Sequence, residues 1–211
     1  MFHYNINLIK NATNKFKKVF YFSKVKSTNE MAKKLIQKSK LNGNAVIISN
    51  NKMEAEKSFG FPHKNTNVHM TVVIKNINLD LKLLSIILPL AVANAIDKVS
   101  GLKTSIRWPN YILIDEKMVS KIKVEHFEGN SRENFKYTIV EISIKVNGVD
   151  KPNSKLKYIS TSLEEKCKNH INRTHLVCCI LKEIDKLLEM SPLYLTYKYM
   201  HKINPGLCVD E

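Results

Sequence analysis

The sequence predicts an α+β fold, in which a mixed, mostly antiparallel β-sheet is flanked by helices. Three strand candidates follow one another in the middle of the chain, at Tyr111–Asp115, Val119–Phe127 and Lys136–Val146. Two strongly apolar helix patterns, Leu83–Val99 and Thr174–Glu189, lie before and after them. This segregation is typical of α+β proteins rather than of doubly wound parallel sheets. With 211 residues, 44% of them hydrophobic, the chain can bury one core but is too short for two large domains.

The second and third strand candidates alternate in polarity. In the third, apolar side chains alternate with polar ones along the strand: Val140, Ile142, Ile144 and Val146 alternate with Glu141, Ser143 and Lys145. In the second, Ile122, Val124 and His126 alternate with Lys121, Lys123 and Glu125. A period of two predicts strands with one buried face and one solvent-exposed face.

The first half of the chain predicts a capped helix, two short strands and a long loop. Ser27–Glu30 has the spacing of a capping box, and Asn42-Gly43 would end the helix that follows. Strands are predicted at Ala45–Ser49 and Val68–Lys75, with residues 50–67 as a loop between them. A loop of that length is uncommon in a compact domain unless it binds or covers a ligand. Pro89 is expected near the first turns of its helix, where proline is tolerated.

Composition limits the class of protein. The formal net charge is +15, but the lysines are scattered, which favours a compositional bias over a nucleic-acid-binding surface. We expect no transmembrane segment and a cytoplasmic location. The cysteines have neither zinc-ligand nor disulfide spacing, and Asn172-Arg173-Thr174 is taken as a chance glycosylation sequon.

Three short motifs occur in an order that resembles the catalytic domain of the biotin-protein ligases. Ser27-Thr28-Asn29 resembles the family's early S-T-N element, Arg107-Trp108-Pro109-Asn110 its K-W-P-N-D motif, and Thr161-Ser162-Leu163 its later T-S-L. R-W-P-N is the most specific, because it contains the only tryptophan of the chain. The resemblance covers roughly residues 20–209, and it implies a sheet of the class II aminoacyl-tRNA-synthetase and biotin-ligase type.

The resemblance also implies an activity. Such enzymes join the carboxylate of biotin to the α-phosphate of ATP with the help of Mg²⁺, and then transfer biotin to a lysine of a biotin carboxyl carrier domain of a carboxylase. It further implies a basic N-terminal extension at residues 1–19, a catalytic domain at 20–205 and a tail at 206–211, with no C-terminal small β domain. A homodimer is one option for the oligomeric state.

Site residues follow from the resemblance, position by position. It assigns biotin binding and nucleotide binding to two groups of residues, which are Ser27, Thr28, Asn29, Lys52 and Trp108 for biotin, and Arg107, Asn110, Lys117, Lys145 and Asn147 for the nucleotide. It makes Lys117 and Lys57 the catalytic cations, Lys117 because it resembles the lysine of the family's K-L-A-G element. The alignment there needs one extra residue before Ile122, so Lys121 remains an alternative. The S-T-N element is equally explained as a helix cap.

The chain departs from the family pattern at several of these motifs. The glycine-rich adenylate loop is replaced by Lys52–Gly60, which contains Glu54 and Glu56. Tyr111 replaces the aspartate of K-W-P-N-D, which removes a ligand expected for magnesium. In the family's G-I-G-I-N-V-N, both glycines and the first asparagine are replaced, by Glu141, Ser143 and Lys145.

These departures leave alternatives to an active biotin ligase. One is a catalytically impaired homologue that binds biotin or a carrier partner. Another is a lipoate or octanoate transferase on the related fold, against which the R-W-P-N motif argues. A nucleic-acid binder has only the net charge in its favour.

Overall fold

The computed structural model describes residues 4–52, 66–75, 81–128, 136–148 and 160–203. The helices are α1 (Ile6–Asn11), α2 (Thr28–Gln37), α3 (Leu81–Ser100), α4 (Leu163–Cys167), α5 (Arg173–Leu187) and α6 (Pro192–Met200). The strands are β1 (Lys18–Val25), β2 (Ala45–Lys52), β3 (Val68–Lys75), β4 (Ser105–Arg107), β5 (Tyr111–Ile114), β6 (Lys117–Glu128) and β7 (Lys136–Ile144).

The strands form one mixed sheet in the order β1-β2-β3-β7-β6-β5-β4. Only the pair β1 and β2 is parallel among the pairings of the described strands, and the others are antiparallel. The α+β prediction, with a mixed and mostly antiparallel sheet, is therefore confirmed. The strand predicted at Val68–Lys75 has the observed bounds.

The two faces of the sheet pack against different helices. On one face, apolar side chains such as Ile48, Met70 and Ile142 form a large core with α3 and α5. On the other face, Ile47, Val73 and Ile139 form a smaller core with Ala32 and Ile36 of α2. Because α2 covers only part of this second face, the rest of that face carries polar side chains.

Strand β7 differs from its prediction. Glu141, Ser143 and Lys145 were expected on a solvent-exposed face, but they are 5%, 1% and 2% exposed. The prediction was wrong: β7 lies in the middle of the sheet, between β3 and β6, and its side chains from Tyr137 to Ile144 are buried on both faces. Three polar side chains are therefore buried at the positions where the family motif has two glycines and an asparagine.

Two helices also differ from their predictions. Pro89 lies in the middle of α3 rather than near its first turns, and it is buried with Leu88 and Leu90. Burial of the surrounding apolar residues offsets the backbone hydrogen bond that proline cannot make. Helix α2 begins at the predicted cap but ends at Gln37, five residues before Asn42-Gly43.

Helix α3 is long and apolar enough to cross a membrane, judged by length and composition over Lys82–Ser100. More than half of that stretch is buried inside the protein, at 56%. It packs against the sheet and α5 as a core helix does.

The N-terminal segment is part of the main core. Tyr4, Ile9 and Phe16 are buried there, and β1 begins at Lys18, so the predicted boundary after residue 19 falls inside a strand. The guanidinium of Arg173 lies 4.7 Å from the centre of the Tyr4 ring, and the Tyr4 hydroxyl donates to the Asn67 carbonyl at 3.4 Å. Arg173 itself donates to Asn67 O at 3.1 Å and to Asn50 Oδ1 at 3.5 Å. One buried cation thus ties the N-terminal segment to the ends of β2 and β3.

Tyr4 makes the stability depend on alkaline pH. Burial raises its pKa from 10.0 to about 12, although the neighbouring Arg173 acts to lower it. The unfolded chain loses this proton near pH 10 and the folded protein only near pH 12, so we expect the Tyr4 contribution to be intact below pH 10 and lost as the pH rises towards 12. The loss should be about 2–3 kcal/mol. Denaturant unfolding at pH 9 and pH 11.5 checks this, with Tyr4→Phe as the control. An equal pH dependence in both proteins would contradict it.

Candidate active site

A row of polar side chains crosses the sheet on the face that α2 partly covers. Residues paired across neighbouring strands share a face, because side chains alternate along each strand. The pairing runs without a break from β2 to β4 through Ser49, His69, Ser143, Lys121, Tyr111 and Arg107. We call this set the polar row. Ser49, His69 and Ser143 are buried in the β2 half of the row, and Arg107 is 8% exposed at its other end.

The N-terminus of α2 is fixed next to this row. Thr71 lies two positions from His69 on the same face, and its Oγ1 donates to the Oγ1 of Thr28 at 2.8 Å. Ser27 caps the helix, accepting a hydrogen bond from the Glu30 N–H at 3.4 Å. The predicted helix cap therefore exists, and the same S-T-N element also contacts the polar face of the sheet.

Asn29 is held by a carboxylate on β6. Its Nδ2 donates to Glu125 Oε1, and Lys33 Nζ lies 3.0 Å from the same oxygen. Asn29 is 6% exposed, and its Oδ1 is buried without a hydrogen-bond partner among the described residues. Buried acceptors in folded proteins are nearly always satisfied, so this oxygen is a candidate position for a ligand donor.

The two candidate lysines on β6 lie on different faces. The register of β5 and β6 shifts between the pairs Ile112–Ser120 and Leu113–Met118, so one residue of β6 is extra at this point. Lys121 pairs with Ser143 and Tyr111 in the polar row, and its Nζ lies 5.2 Å from the centre of the Tyr111 ring. Lys117 pairs instead with Ile114, a residue of the main core, next to the hairpin turn. The geometry therefore brings Lys121 to the polar row and leaves Lys117 outside it.

A buried lysine lies beyond the end of β7. The amide of Lys145 donates to Val119 O at 2.8 Å, which continues the ladder with β6, and its Nζ donates to Ser160 Oγ at 2.7 Å. Ser160 pairs with Met118 in an isolated bridge. Lys145 thus belongs to the same end of the sheet as Lys121.

The R-W-P-N motif forms the end of β4 and the turn into β5. Trp108 is 44% exposed in this turn, and the carbonyl of Asn110 accepts from the Ile122 N–H at 2.9 Å. Arg107 is the member of the motif that reaches the polar row, whereas the described contact of Asn110 is a backbone bond within the sheet.

Other predicted site residues lie elsewhere. Asn147 is bonded to the backbone of Ile171 in both directions at 2.9 Å, and it lines a cavity of about 690 Å³ between α1 and the start of α5. That cavity borders the main core rather than the polar row. Lys57 lies outside the described residues, and Lys52 ends β2, where only the backbone is described.

The polar row offers no carboxylate to a protein-held magnesium ion. Magnesium prefers carboxylate and phosphate oxygens, usually with one or two carboxylates from the protein. The row offers a phenol at Tyr111 and cations at Lys121 and Arg107. No group of three or more His, Cys, Asp or Glu side chains that could hold a metal occurs in the described part of the chain.

Several residues of this site were not predicted from the sequence. His69 and Thr71 alternate with Val68, Met70 and Val72, and that period of two was a usable signal for a polar face. Glu125 was placed on a solvent-exposed face. Outside the polar row, Arg173 was treated only as part of a sequon. Their contacts join distant segments and leave no local pattern.

Comparison with known proteins agrees with this architecture. No protein-family model matches the chain. The bifunctional ligase/repressor BirA of Bacillus subtilis is 33% identical over 106 residues, which are 47% of this chain and 31% of that protein. The chain thus matches about a third of the length of this curated relative.

Solved structures resemble most of the chain. The biotin protein ligase of Aquifex aeolicus in complex with biotin and ATP is 22% identical, with a TM-score of 0.70 over 89% of this chain and 79% of that chain. The biotin protein ligase of Leishmania major in complex with biotinyl-5-AMP is 15% identical, with a TM-score of 0.73 over 92% and 84%. The chain has the biotin protein ligase fold. The resemblance predicted from the three motifs is confirmed at this level.

Proposed function

We propose that this chain is a biotin-protein ligase, which activates biotin with ATP and transfers it to a lysine of a carrier domain. The observation that carries the proposal is that the S-T-N element at the start of α2 contacts the same face of the sheet that carries the cations of the polar row. The S-T-N element offers small polar groups to the uncharged ring of biotin. The cations of the polar row offer positive charge to the carboxylate of biotin and the phosphate of ATP. Biotin and ATP are bound together in one solved structure of the same fold, and biotinyl-5-AMP is bound in another.

Lys121 and Arg107 are the residues we assign to the adenylation step. A carboxylate oxygen of biotin attacks the α-phosphorus of ATP, the new P–O bond forms, and pyrophosphate leaves. Negative charge builds up on the phosphoryl oxygens, and fixed cations in a poorly hydrated site stabilise it. Lys145 adds a third positive charge at the same end of the sheet.

The second step needs less from the protein. The amine of a carrier lysine attacks the acyl carbon of biotinyl-adenylate, AMP leaves with the electron pair, and the amine loses a proton. The burial of Ser49, His69 and Ser143 supports a floor that excludes water, which would otherwise hydrolyse the anhydride. No step is assigned to a magnesium ion, since the polar row offers no carboxylate to hold one.

A transfer assay tests the proposal. The purified chain is incubated with biotin, ATP and the carrier domain of a biotin-dependent carboxylase, and the carrier is analysed by mass spectrometry. We expect a mass gain of one biotinyl group on one lysine, together with pyrophosphate release. No modified carrier at enzyme concentrations equal to the carrier would count against the assignment.

A second candidate function is binding without turnover. It is favoured by Glu141, whose side chain is buried on the polar face between Thr71 and Lys123, where the family motif has glycine. A carboxylate there takes space and adds negative charge on the part of the sheet face that is proposed to hold the ring of biotin. Calorimetry separates the two functions, since biotin binding without ATP-dependent pyrophosphate release supports this candidate alone.

A further inference from the structure

The contacts of Asn29 determine which way its carboxamide points. Glu125 is a carboxylate, and an ionised carboxylate only accepts hydrogen bonds. If the amide were reversed, Asn29 Oδ1 would face Glu125 Oε1 and two acceptors would repel each other. The Nδ2 group must therefore face Glu125, and Oδ1 must face away from it.

Glu125 stays ionised in this position. Burial alone acts to raise its pKa, but hydrogen bonds from Asn29 and Lys33 and the charges of Lys33 and Lys123 together hold the pKa below its ordinary value. Lys33 lies on α2 and Lys123 on β6, so cations from two elements face the carboxylate. Near neutral pH the acceptor role of Glu125 is therefore constant.

The oxygen that points away from Glu125 lacks a partner. Asn29 Oδ1 is buried and has no hydrogen-bond donor among the described residues. An unsatisfied buried acceptor destabilises the protein, and a ligand with an N–H group would satisfy it. The neighbouring Thr28 hydroxyl already accepts a hydrogen bond from Thr71, whereas Asn29 Oδ1 has no hydrogen bond among the described residues.

We propose that Glu125 is a positioning residue, which fixes the carboxamide of Asn29 so that Oδ1 accepts a hydrogen bond from an N–H group of the ligand. The inference rests on the proposed function, in which this donor is a ureido N–H of biotin. It adds a specificity element, because a ligand without an N–H at this point leaves the acceptor buried and unsatisfied.

An isosteric double-mutant cycle tests the inference. Asn29→Asp places a second carboxylate against Glu125, and Glu125→Gln lets the partner donate, so that Asn29 can reverse. The double variant N29D/E125Q rebuilds the bond with the donor on the other side, and it leaves one oxygen of residue 29 as an acceptor. We expect each single variant to raise the Kd for biotin, measured by calorimetry, about tenfold or more. We expect the double variant to return to within about threefold of the native value.

Controls separate positioning from folding. Glu128→Gln removes an exposed carboxylate from the same strand and should leave the Kd for biotin unchanged. In the adenylation assay, E125Q should raise the KM for biotin while kcat stays within about twofold. The inference fails if E125Q binds biotin like the native chain, or if N29D/E125Q binds no better than the single variants.

Failure of the proposed function gives a different pattern. If the native chain binds no biotin, the ligand assignment is wrong, while the orientation of Asn29 is still measured by the side-chain amide resonances in ¹⁵N–¹H spectra. The Asn29 amide signal, assigned by its absence in N29D, should shift in E125Q and not in E128Q. An unchanged signal in E125Q would overturn the positioning role without reference to biotin.

Discussion

Replacing Lys121 by methionine is expected to lower kcat for biotinyl-adenylate formation by about 100- to 1000-fold, the range found when one group that stabilises a transition-state charge is removed. The reason is the place of Lys121 in the polar row, paired with Ser143 and beside Tyr111. Biotin binding should fall much less than turnover, because charge develops on the phosphoryl group only during the reaction. ATP-dependent pyrophosphate release and calorimetry with biotin measure the two effects separately.

Lys117→Met is the matched comparison for this prediction. The family motif points to Lys117, but its register pairs it with Ile114 on the other face, about four residues or roughly 13 Å along the strand from Lys121. We expect K117M to retain most of the activity. Loss of activity in K117M together with an active K121M would show that the family lysine keeps its role and that our assignment is wrong.

Replacing Arg173 by methionine is expected to lower the free energy of unfolding by about 3–5 kcal/mol, from two charge-assisted hydrogen bonds and one buried cation–π contact. Methionine fills much of the volume but leaves the Asn67 carbonyl and the Asn50 carboxamide without this donor. For a domain of this size the melting temperature should fall by about 10 °C. Thermal unfolding followed by circular dichroism measures it.

Lys182→Met is the control for Arg173. Lys182 lies on the same helix, α5, and is exposed, so its replacement should change the melting temperature by about 1 °C or less. A similar small change in R173M would show that the buried guanidinium does not join the N-terminal segment to β2 and β3 in solution.

Local patterns were enough to predict much of the fold. The strand prediction at Val68–Lys75 has both ends of β3, and the capping box gave the start of α2. The α+β class followed from the order of strands and helices. These features depend on neighbouring residues in the sequence, which is why a single sequence contains them.

The site was harder to predict, because it depends on register and layering. Alternation along β7 was interpreted as one solvent-exposed face, whereas Glu141 and Ser143 are buried in this central strand of the sheet. The choice between Lys117 and Lys121 turns on one extra residue in β6, since a slip by one position moves side chains to the other face. The spacing of the motifs shows that one residue is extra, but it does not show where in β6 the register shifts.

The direct test of the account is a crystal structure of this chain grown with biotin and ATP. We predict the ring of the vitamin on the sheet face between Asn29 and Ser143, with the phosphate end towards Lys121 and Arg107. Ligand found only in the cavity between α1 and α5, or a polar row closed by its own side chains with no ligand bound, would contradict it.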